Sequence, residues 1–254
     1  MPAANPPSDA EQWYAAQLTG LVEQLWGAVE QVVLADVRKL AEADPSGRYG
    51  RQDAEPTDFL AELKRRFAQI TGVFGIGRTV AGVIERTNQA NERAVQTQMM
   101  TLGLMPSRRP DLSAAVQTAT ADNTRLIRNI PDEMADRIAA KVRAGWDAGK
   151  RHETLAKELE AEFGIASRRA RLIARDQVNK INGNFTRARH LAAGITHFRW
   201  QSGRDNRVRP AHVALNGRVF SWENPPAEGF PGQPIQCRCT AAPVTSAREM
   251  ASAS

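Results

Sequence analysis

The chain has little cysteine: only Cys237 and Cys239 occur in 254 residues. Two thiols one residue apart lack the paired C-x-x-C spacing that makes a zinc-finger assignment strong. A disulfide between them would close a very small ring, and a cytoplasmic origin also disfavours one. Any cysteine chemistry is therefore confined to the short segment PIQCRCT near the C-terminus.

Long hydrophobic runs are also missing. The longest apolar stretches are far shorter than the roughly 20 residues that a membrane span requires. The N-terminus MPAANPPSDAEQW does not have the basic-then-apolar layout of a signal peptide. We expect a soluble protein, with no membrane partner in its folded state, made in a cytoplasm or in a particle assembled there.

Nucleotide-binding motifs are incomplete. Gly75-Ile76-Gly77 is not followed by the Lys-Ser/Thr of a Walker motif, and Val80 stands where a dinucleotide fingerprint needs its third glycine. The segment is better interpreted as a joint between helices. A dense acidic cluster and an H-x-x-x-H pair are absent too, which argues against a metallohydrolase.

Charge is distributed unevenly along the chain. The formal net charge is +6, yet residues 1–60 hold 4 basic and 10 acidic side chains, whereas the remaining residues hold 30 and 18. Of the 34 basic residues, 28 are arginine, which binds phosphates and carboxylates in a forked geometry. A nucleic-acid backbone or an acidic protein surface is a plausible neighbour, and an ordinary solvated surface is the alternative.

The first half of the chain has a helical pattern. Residues 1–8 are expected to be a disordered or extended arm. Apolar residues at steps of three and four then predict a long amphipathic helix from Asp9 to about Ala43, and another is predicted after Pro56-Thr57-Asp58. With further helices to residue 129, we interpret 9–129 as a helical region that docks on specific partners.

More helices are predicted from residue 130 to about 193. Ile130-Pro131 is interpreted as a helix start and Gly149 as its end. Gly164 is expected to close a short helix, and Ser167 to cap the next one, which ends at Gly194. The last helix carries a packing seam of small and large apolar residues: Ala174, Val178, Ile181, Phe185, Ala188 and Ala192.

One side of this last helix is rich in arginine. Four arginines are candidates for neutralising DNA phosphates, although a solvated surface is the more common outcome: Arg168, Arg169, Arg171 and Arg175.

The pattern changes after Gly194. ITHFRWQ alternates as a strand does, GRVFSW predicts a second short strand, and turn residues separate them. The fold class is therefore mainly α-helical, with a small C-terminal α+β domain of short strands over 194–245 and a tail at 246–254. Its core is predicted to contain Val178, Ile181, Phe185 and Trp200.

The cysteines admit several interpretations. Residues i and i+2 of an extended segment project to the same side, so both thiols can join His212 and Asp205 or His197 in a structural zinc site. They can equally be buried as small hydrophobic side chains. A catalytic thiol with His212 as its base is a further possibility.

The C-terminal residues resemble a known family. Trp200 to His212 (WQSGRDNRVRPAH), then LNGRVF, Pro231-Gly232 and the C-R-C of Cys237, Arg238 and Cys239 are similar to the signature of phage Mu F-like head morphogenesis proteins, also called minor head or minor capsid proteins. The resemblance covers about 130–245. The signature residues are Trp200, Asp205, Arg207, His212, Gly217, Cys237, Arg238 and Cys239.

This resemblance implies a structural virion protein. It would associate with the portal protein or the major capsid protein and act in head assembly and in handling or delivery of packaged double-stranded DNA, bound nonspecifically. It would be located in the head interior or at the portal vertex, and in the host cytoplasm during assembly. Some relatives carry C-x-x-C where Arg209 to His212 stand here, so a metal site would need His212 as a ligand. Asp205, Arg207 and His212 could instead form a buried polar network.

Two other function classes remain open from the sequence. One is a metal-dependent hydrolase or nuclease that uses Asp205, His212, Cys237 and Cys239, with Glu223 or Glu228 as a general base. The other is a basic DNA-binding regulator, for which the arginines at 168–175 are the only candidate recognition surface.

Overall fold

The computed structural model describes residues 3–43, 58–105, 108–203 and 208–251. Helices make up most of this part of the chain, and three short strands lie near its C-terminal end, which confirms the predicted fold class. The long helical elements are α1 (Ser8–Val29), a π-helical stretch (Glu30–Leu34), α2 (Ala35–Ala43), α3 (Asp58–Val73), α4 (Ile76–Thr101), α5 (Ser113–Asp147) and α6 (His152–Ala192).

The N-terminal helix extends as far as its periodicity predicts. From α1 to α2 the helical backbone continues through the π-helical stretch, where Val32, Val33 and Leu34 are buried. The arm before it has no helix or strand over residues 3–7. Ala4 in this arm is buried, and its carbonyl accepts a hydrogen bond from Asn182 Nδ2 at 3.0 Å.

Helices α3 and α4 meet at the predicted joint. Gly75 lies between them with φ of 74°, a left-handed conformation that glycine adopts without a steric cost. The glycine-rich segment therefore ends one helix and begins the next, as the incomplete nucleotide motif suggested.

Pro131 does not begin a helix, contrary to the prediction. It lies inside the 35-residue helix α5, where a proline removes one backbone hydrogen bond. The apolar stripe continues across it, since Ile127, Ile130, Met134 and Ile138 are all buried. Burial along this stripe outweighs the local break.

Gly164 and Ser167 were also assigned wrongly, as a helix end and a helix cap. Both lie inside α6, a single helix of 41 residues. Gly164 does not have a positive φ. A Cβ atom at this position would meet only the guanidinium of Arg168, at 3.5 Å. A glycine with ordinary helical geometry interrupts nothing when the flanking apolar residues, such as Leu159 and Ala170, are buried.

The strands form one antiparallel sheet in the order β2-β1-β3: β1 (His197–Gln201), β2 (Val219–Ser221) and β3 (Thr240–Val244). β1 and β2 were predicted; β3 was not, and neither were the short helices α7 (Pro210–Leu215) and α8 (Ala247–Met250). The sheet carries an apolar cluster that includes both cysteines: Phe198, Trp200, Leu215, Phe220, Trp222, Phe230, Cys237, Cys239 and Ala241.

The chain divides into two compact units. The first contains residues 1–14, 80–123 and 174–254, and the second contains 15–79 and 124–173. In the first unit all four predicted core residues, Val178, Ile181, Phe185 and Trp200, are buried, although only Trp200 belongs to the cluster on the sheet. Among the described residues no single helix is long and apolar enough to cross a bilayer, whereas α3 and α4 taken together meet that length and composition test.

Candidate metal centre

Cys237, Cys239 and His212 form a compact cluster in the first unit. Their possible ligand atoms all lie within 4.8 Å of one another, and all three residues are buried. His212 Nδ1 is 3.7 Å from Cys237 Sγ and 3.4 Å from Cys239 Sγ. The structure thus brings together three of the four ligands predicted for zinc; the fourth, Asp205, lies outside the described residues.

Helix α7 carries His212 into this cluster. Pro210 occupies its first position, which suits proline because that N–H has no helical partner. The preceding residue, Arg209, donates a hydrogen bond from its guanidinium to the carbonyl of Ile235. The start of α7 is thereby tied to the segment that leads into Cys237.

Helix α6 holds the cysteine segment from the other side. Asn179 Nδ2 donates to the carbonyl of Cys237 at 2.8 Å, and Asp176 Oδ1 accepts from the amide of Gln236 at 2.8 Å. Gln236 has φ of 58°, a left-handed conformation uncommon for residues other than glycine. The carboxylate of Asp176 compensates for this backbone conformation by accepting its N–H.

Two glycines allow the loop around Pro231 and Gly232, called the Pro/Gly loop below, to approach α6 closely. A Cβ atom at Gly183 would lie 2.5 Å from the carbonyl oxygen of Pro231, and one at Gly232 would lie 2.6 Å from that of Asn179. Neither position has room for a side chain. The amide of Gly232 also faces Cys237 Sγ at 3.5 Å, so the close approach directs an N–H group at the sulfur.

The two thiols influence each other's protonation. A hydrogen bond from Cys239, helped by the amide of Gly232 and opposed by burial, lowers the pKa of Cys237 to about 6. The same pairing, together with burial, raises the pKa of Cys239. The pair therefore favours one thiolate over two thiols near neutral pH.

The geometry fits a zinc ion. Tetrahedral zinc with bonds of about 2.3 Å to sulfur and about 2.0 Å to nitrogen places a sulfur and a nitrogen ligand about 3.6 Å apart. The two distances from His212 Nδ1, 3.4 and 3.7 Å, lie on either side of that value. The donor set of two sulfurs and an imidazole nitrogen is one that structural zinc sites use.

The second ring nitrogen of His212 faces a carboxylate. His212 Nε2 is buried and has no hydrogen-bond partner among the residues that the structure describes, and it lies 3.6 Å from Oε2 of Glu228. This arrangement resembles the carboxylate–histidine–metal pattern in which an outer carboxylate orients the ligand ring. Glu223 and His197, two other residues considered from the sequence, do not belong to the cluster.

The remaining signature residues support this site from the sheet. The ring of Trp200 meets that of His212 edge to face, with centroids 5.2 Å apart. Gly217, with φ of 82°, donates its N–H to the carbonyl of Trp200 at 2.8 Å. Arg207, like Asp205, lies outside the described residues, and Arg238 is half-buried beside the two thiols in the chain.

Two of the four arginines predicted to contact DNA form ion pairs within the protein. Arg169, in the second unit, forms an ion pair with Glu133 at 2.6 Å, and Arg175, in the first unit, pairs with Glu11 at 3.0 Å. Arg168 and Arg171 are exposed. These two are the members of the set best placed to meet an external anion.

Sequence reasoning missed the part of the site that α6 contributes. Asp176, Asn179 and Gly183 lie on one face of the helix at helical spacing, and they contact residues about fifty to sixty positions later. The one available signal was the polar and glycine content of the helix face opposite the apolar seam.

Comparisons with known proteins bear on the same region. A protein from Haemophilus influenzae (strain ATCC 51907 / DSM 11121 / KW20 / Rd), described only as uncharacterized, is 27% identical over 250 residues, which cover 94% of this chain and 54% of the relative. The chain thus spans about half the length of that relative. No solved structure matches the chain. Residues 136–242, which contain Cys237, Cys239 and His212, match the family model described as Phage Mu protein F like protein. The match confirms the resemblance predicted from the sequence over this region.

Proposed function

We propose that this chain is a minor head protein of a tailed phage. In this proposal it associates with the portal protein or the inner shell, contacts the major capsid protein, and acts in head assembly and in handling or delivery of packaged DNA. The observation that carries the proposal is the family match over residues 136–242, which includes β1, β2, the first three residues of β3 and the whole cysteine cluster.

The test is genetic and uses the phage or prophage that encodes the chain. Disrupting the gene should lower the yield of DNA-filled heads while tails still form, and supplying the chain in trans should restore the yield. Purified particles should contain the protein in the head fraction. An unchanged titre, with the protein missing from particles, would refute the proposal.

DNA contact is the part of this role that the charge distribution supports. Arg168 and Arg171 are exposed and could neutralise phosphates. Replacing both with glutamate should weaken binding to a duplex of any sequence, and it should reduce the slope of log affinity against log salt by about 2. Binding that does not change with salt, or an unchanged slope in this variant, would contradict a contact with DNA at these residues.

We also propose that the cluster holds one structural zinc ion through Cys237, Cys239 and His212. All three side chains are buried, which favours a structural role over catalysis, because a catalytic ion keeps an accessible coordination position. An ion here would connect α7 to the segment before β3.

Elemental analysis of the purified protein, with thiol titration, tests this. One equivalent of zinc, with thiols that react only after a chelator is added, is the expected result. His212→Ala should abolish retention of the metal, whereas His197→Ala, a histidine outside the cluster, should not. Metal-free protein with slowly reacting thiols would instead show that Cys237 and Cys239 only pack in the core.

A further inference from the structure

A groove in the first unit remains outside the functions described above. It has a volume of about 730 Å³ and lies between the N-terminal turns of α5 and the C-terminal turns of α6. The residues on each wall recur at helical spacing, so each helix presents one face to the groove. Small side chains make up much of both faces: Ala114, Ala115, Ala188 and Ala192.

The groove is lined by apolar side chains and also by neutral polar ones, Thr118, Asn184 and Gln233. Leu191, on α6, is 43% exposed although it is a large hydrophobic residue. The alanine side chains on both helices are short, so another backbone could approach these helices closely. Two adjacent helices with small residues between them provide the surface into which a third helix packs, by ridges entering grooves.

The charges around this surface are mostly positive. Arg108 and Arg109 are exposed at one end, and Arg187 lines the α6 wall. Asp111 is the acidic residue among the described residues that line the groove, and its carboxylate already accepts the amide of Ser113 at 2.9 Å, as a helix cap. With three arginines against this one carboxylate, the lining of the groove carries a net positive charge.

Among the described residues, no carboxylate forms an ion pair with Arg187, and other groups position its guanidinium. Its Nη2 donates to the carbonyl of Trp222 at 3.4 Å, and its guanidinium carbon lies 5.8 Å from the centre of the Phe230 ring. Its Nε is buried and has no hydrogen-bond partner among the described residues. The rest of this half-buried side chain lines the groove, so its charge is available to a carboxylate of a partner.

We propose that this groove binds an acidic amphipathic helix of a partner protein. The apolar face of that helix would lie on the alanines and Leu191, and its carboxylates would pair with Arg108, Arg109 and Arg187. Nucleic acid is the less suitable occupant, because a phosphate backbone gains nothing from an alanine surface, whereas an amphipathic helix uses both the apolar and the cationic parts.

Fluorescence anisotropy with three labelled probes tests the proposal on the full-length protein. The first probe is a 20-residue helical peptide with a leucine stripe flanked by glutamates, the second is the same composition scrambled, and the third is a DNA duplex. At about 150 mM salt, which screens exposed charges beyond about 8 Å, the amphipathic peptide should bind about tenfold more tightly than the scrambled peptide.

Two variants separate charge from shape. Arg108→Glu with Arg109→Glu should weaken binding of the amphipathic peptide about tenfold or more, and Ala114→Trp, which fills the groove without changing charge, should do the same. The matched control is Arg168→Glu with Arg171→Glu, the same charge change in the second unit, which should leave peptide binding unchanged. Circular dichroism checks that each variant is folded.

A charge exchange makes the test reciprocal. A peptide in which lysines replace the glutamates should bind the Arg108→Glu/Arg109→Glu variant better than the unchanged protein. Equal binding of the amphipathic and scrambled peptides would overturn the proposal. So would duplex binding that the charge variant abolishes and Ala114→Trp does not affect, because that pattern describes a site for phosphates.

Discussion

Single residues around the cysteine cluster have distinct roles. In the proposed zinc site Cys237, Cys239 and His212 would provide the ligand atoms, whereas Glu228 lies on the far side of the imidazole, 3.6 Å from Nε2. An outer carboxylate fixes which ring nitrogen carries the proton, and so leaves the other nitrogen free to bind a metal.

If the cluster holds zinc, Glu228→Gln should weaken zinc affinity about 10- to 100-fold, because it removes the carboxylate that orients the ring. Competition with a chromophoric chelator measures this. Glu223→Gln is the matched control, since Glu223 is exposed and outside the cluster. Equal effects of the two changes would mean that Glu228 does not orient His212.

Packing at Phe185 is a second property of a single residue. The side chain is fully buried on α6, and the guanidinium carbon of Arg189 lies 5.7 Å from its ring centre. Phe185→Ala should lower the free energy of unfolding by about 3 to 5 kcal/mol, because it leaves a cavity. Leu191→Ala, on the same helix but 43% exposed, should change it by less than about 0.5 kcal/mol. Urea denaturation compares the two, and similar midpoints would refute the packing role.

At the scale of elements, α6 contains two glycines with opposite requirements. Gly164 has ordinary helical geometry, and a side chain there would make only an ordinary contact with Arg168 at 3.5 Å. A side chain at Gly183 would collide with the carbonyl oxygen of Pro231, at 2.5 Å. Glycine in a helix costs conformational entropy, and only the second position gains a contact in return.

Gly164→Ala should therefore stabilise the protein by about 0.4 to 1 kcal/mol. Gly183→Ala should destabilise it and increase the reactivity of Cys237 towards a thiol reagent, because the Pro/Gly loop must move away from α6. Thermal melts and thiol kinetics on the two variants check both statements. Stabilisation by both substitutions would contradict the close approach of loop and helix.

The elements also show how far the sequence is informative. Apolar periodicity predicts the helices, because burial of a stripe is what stabilises them. It does not predict that Pro131 and Gly164 are internal, since these local breaks are outweighed by apolar residues on both sides. β3 was missed because TAAPV is buried throughout and does not alternate.

The candidate site, like the fold, was only partly predictable from the sequence. The C-x-C spacing and His212 point to the ligands, because their chemistry is specific and they lie within one short region. The contribution of Asp176 and Asn179 could not be predicted, since it depends on a contact between residues about sixty positions apart, and a single sequence contains no sign of that contact.

At the scale of the whole molecule, a buried histidine makes the first unit sensitive to acid. His190 is fully buried, its Nε2 lies 3.2 Å from Oε1 of Gln98, and its ring meets Trp222 edge to face. Burial lowers the pKa of His190 to about 3. The unfolded chain, with a histidine pKa near 6.5, therefore binds a proton that the folded chain does not.

Stability should accordingly be highest above pH of about 6.5 and should fall as the pH decreases towards about 3, by up to about 1.4 kcal/mol per pH unit. Urea denaturation across this range measures the slope. His190→Gln should flatten the slope, whereas His197→Gln, at an accessible position on β1, should not. An unchanged slope in the first variant would assign the acid sensitivity to other groups.

The docking of the Pro/Gly loop on α6 has a consequence for dividing the chain. A domain boundary placed near residue 194, where the sequence pattern changes from helical to strand-like, separates Asp176, Asn179 and Gly183 from the loop that they contact. A fragment that begins there would contain every strand and all three sulfur and imidazole ligands, and still lack the surface that shapes them. During synthesis α6 leaves the ribosome before the cysteine segment, so this segment completes its fold against a helix already present.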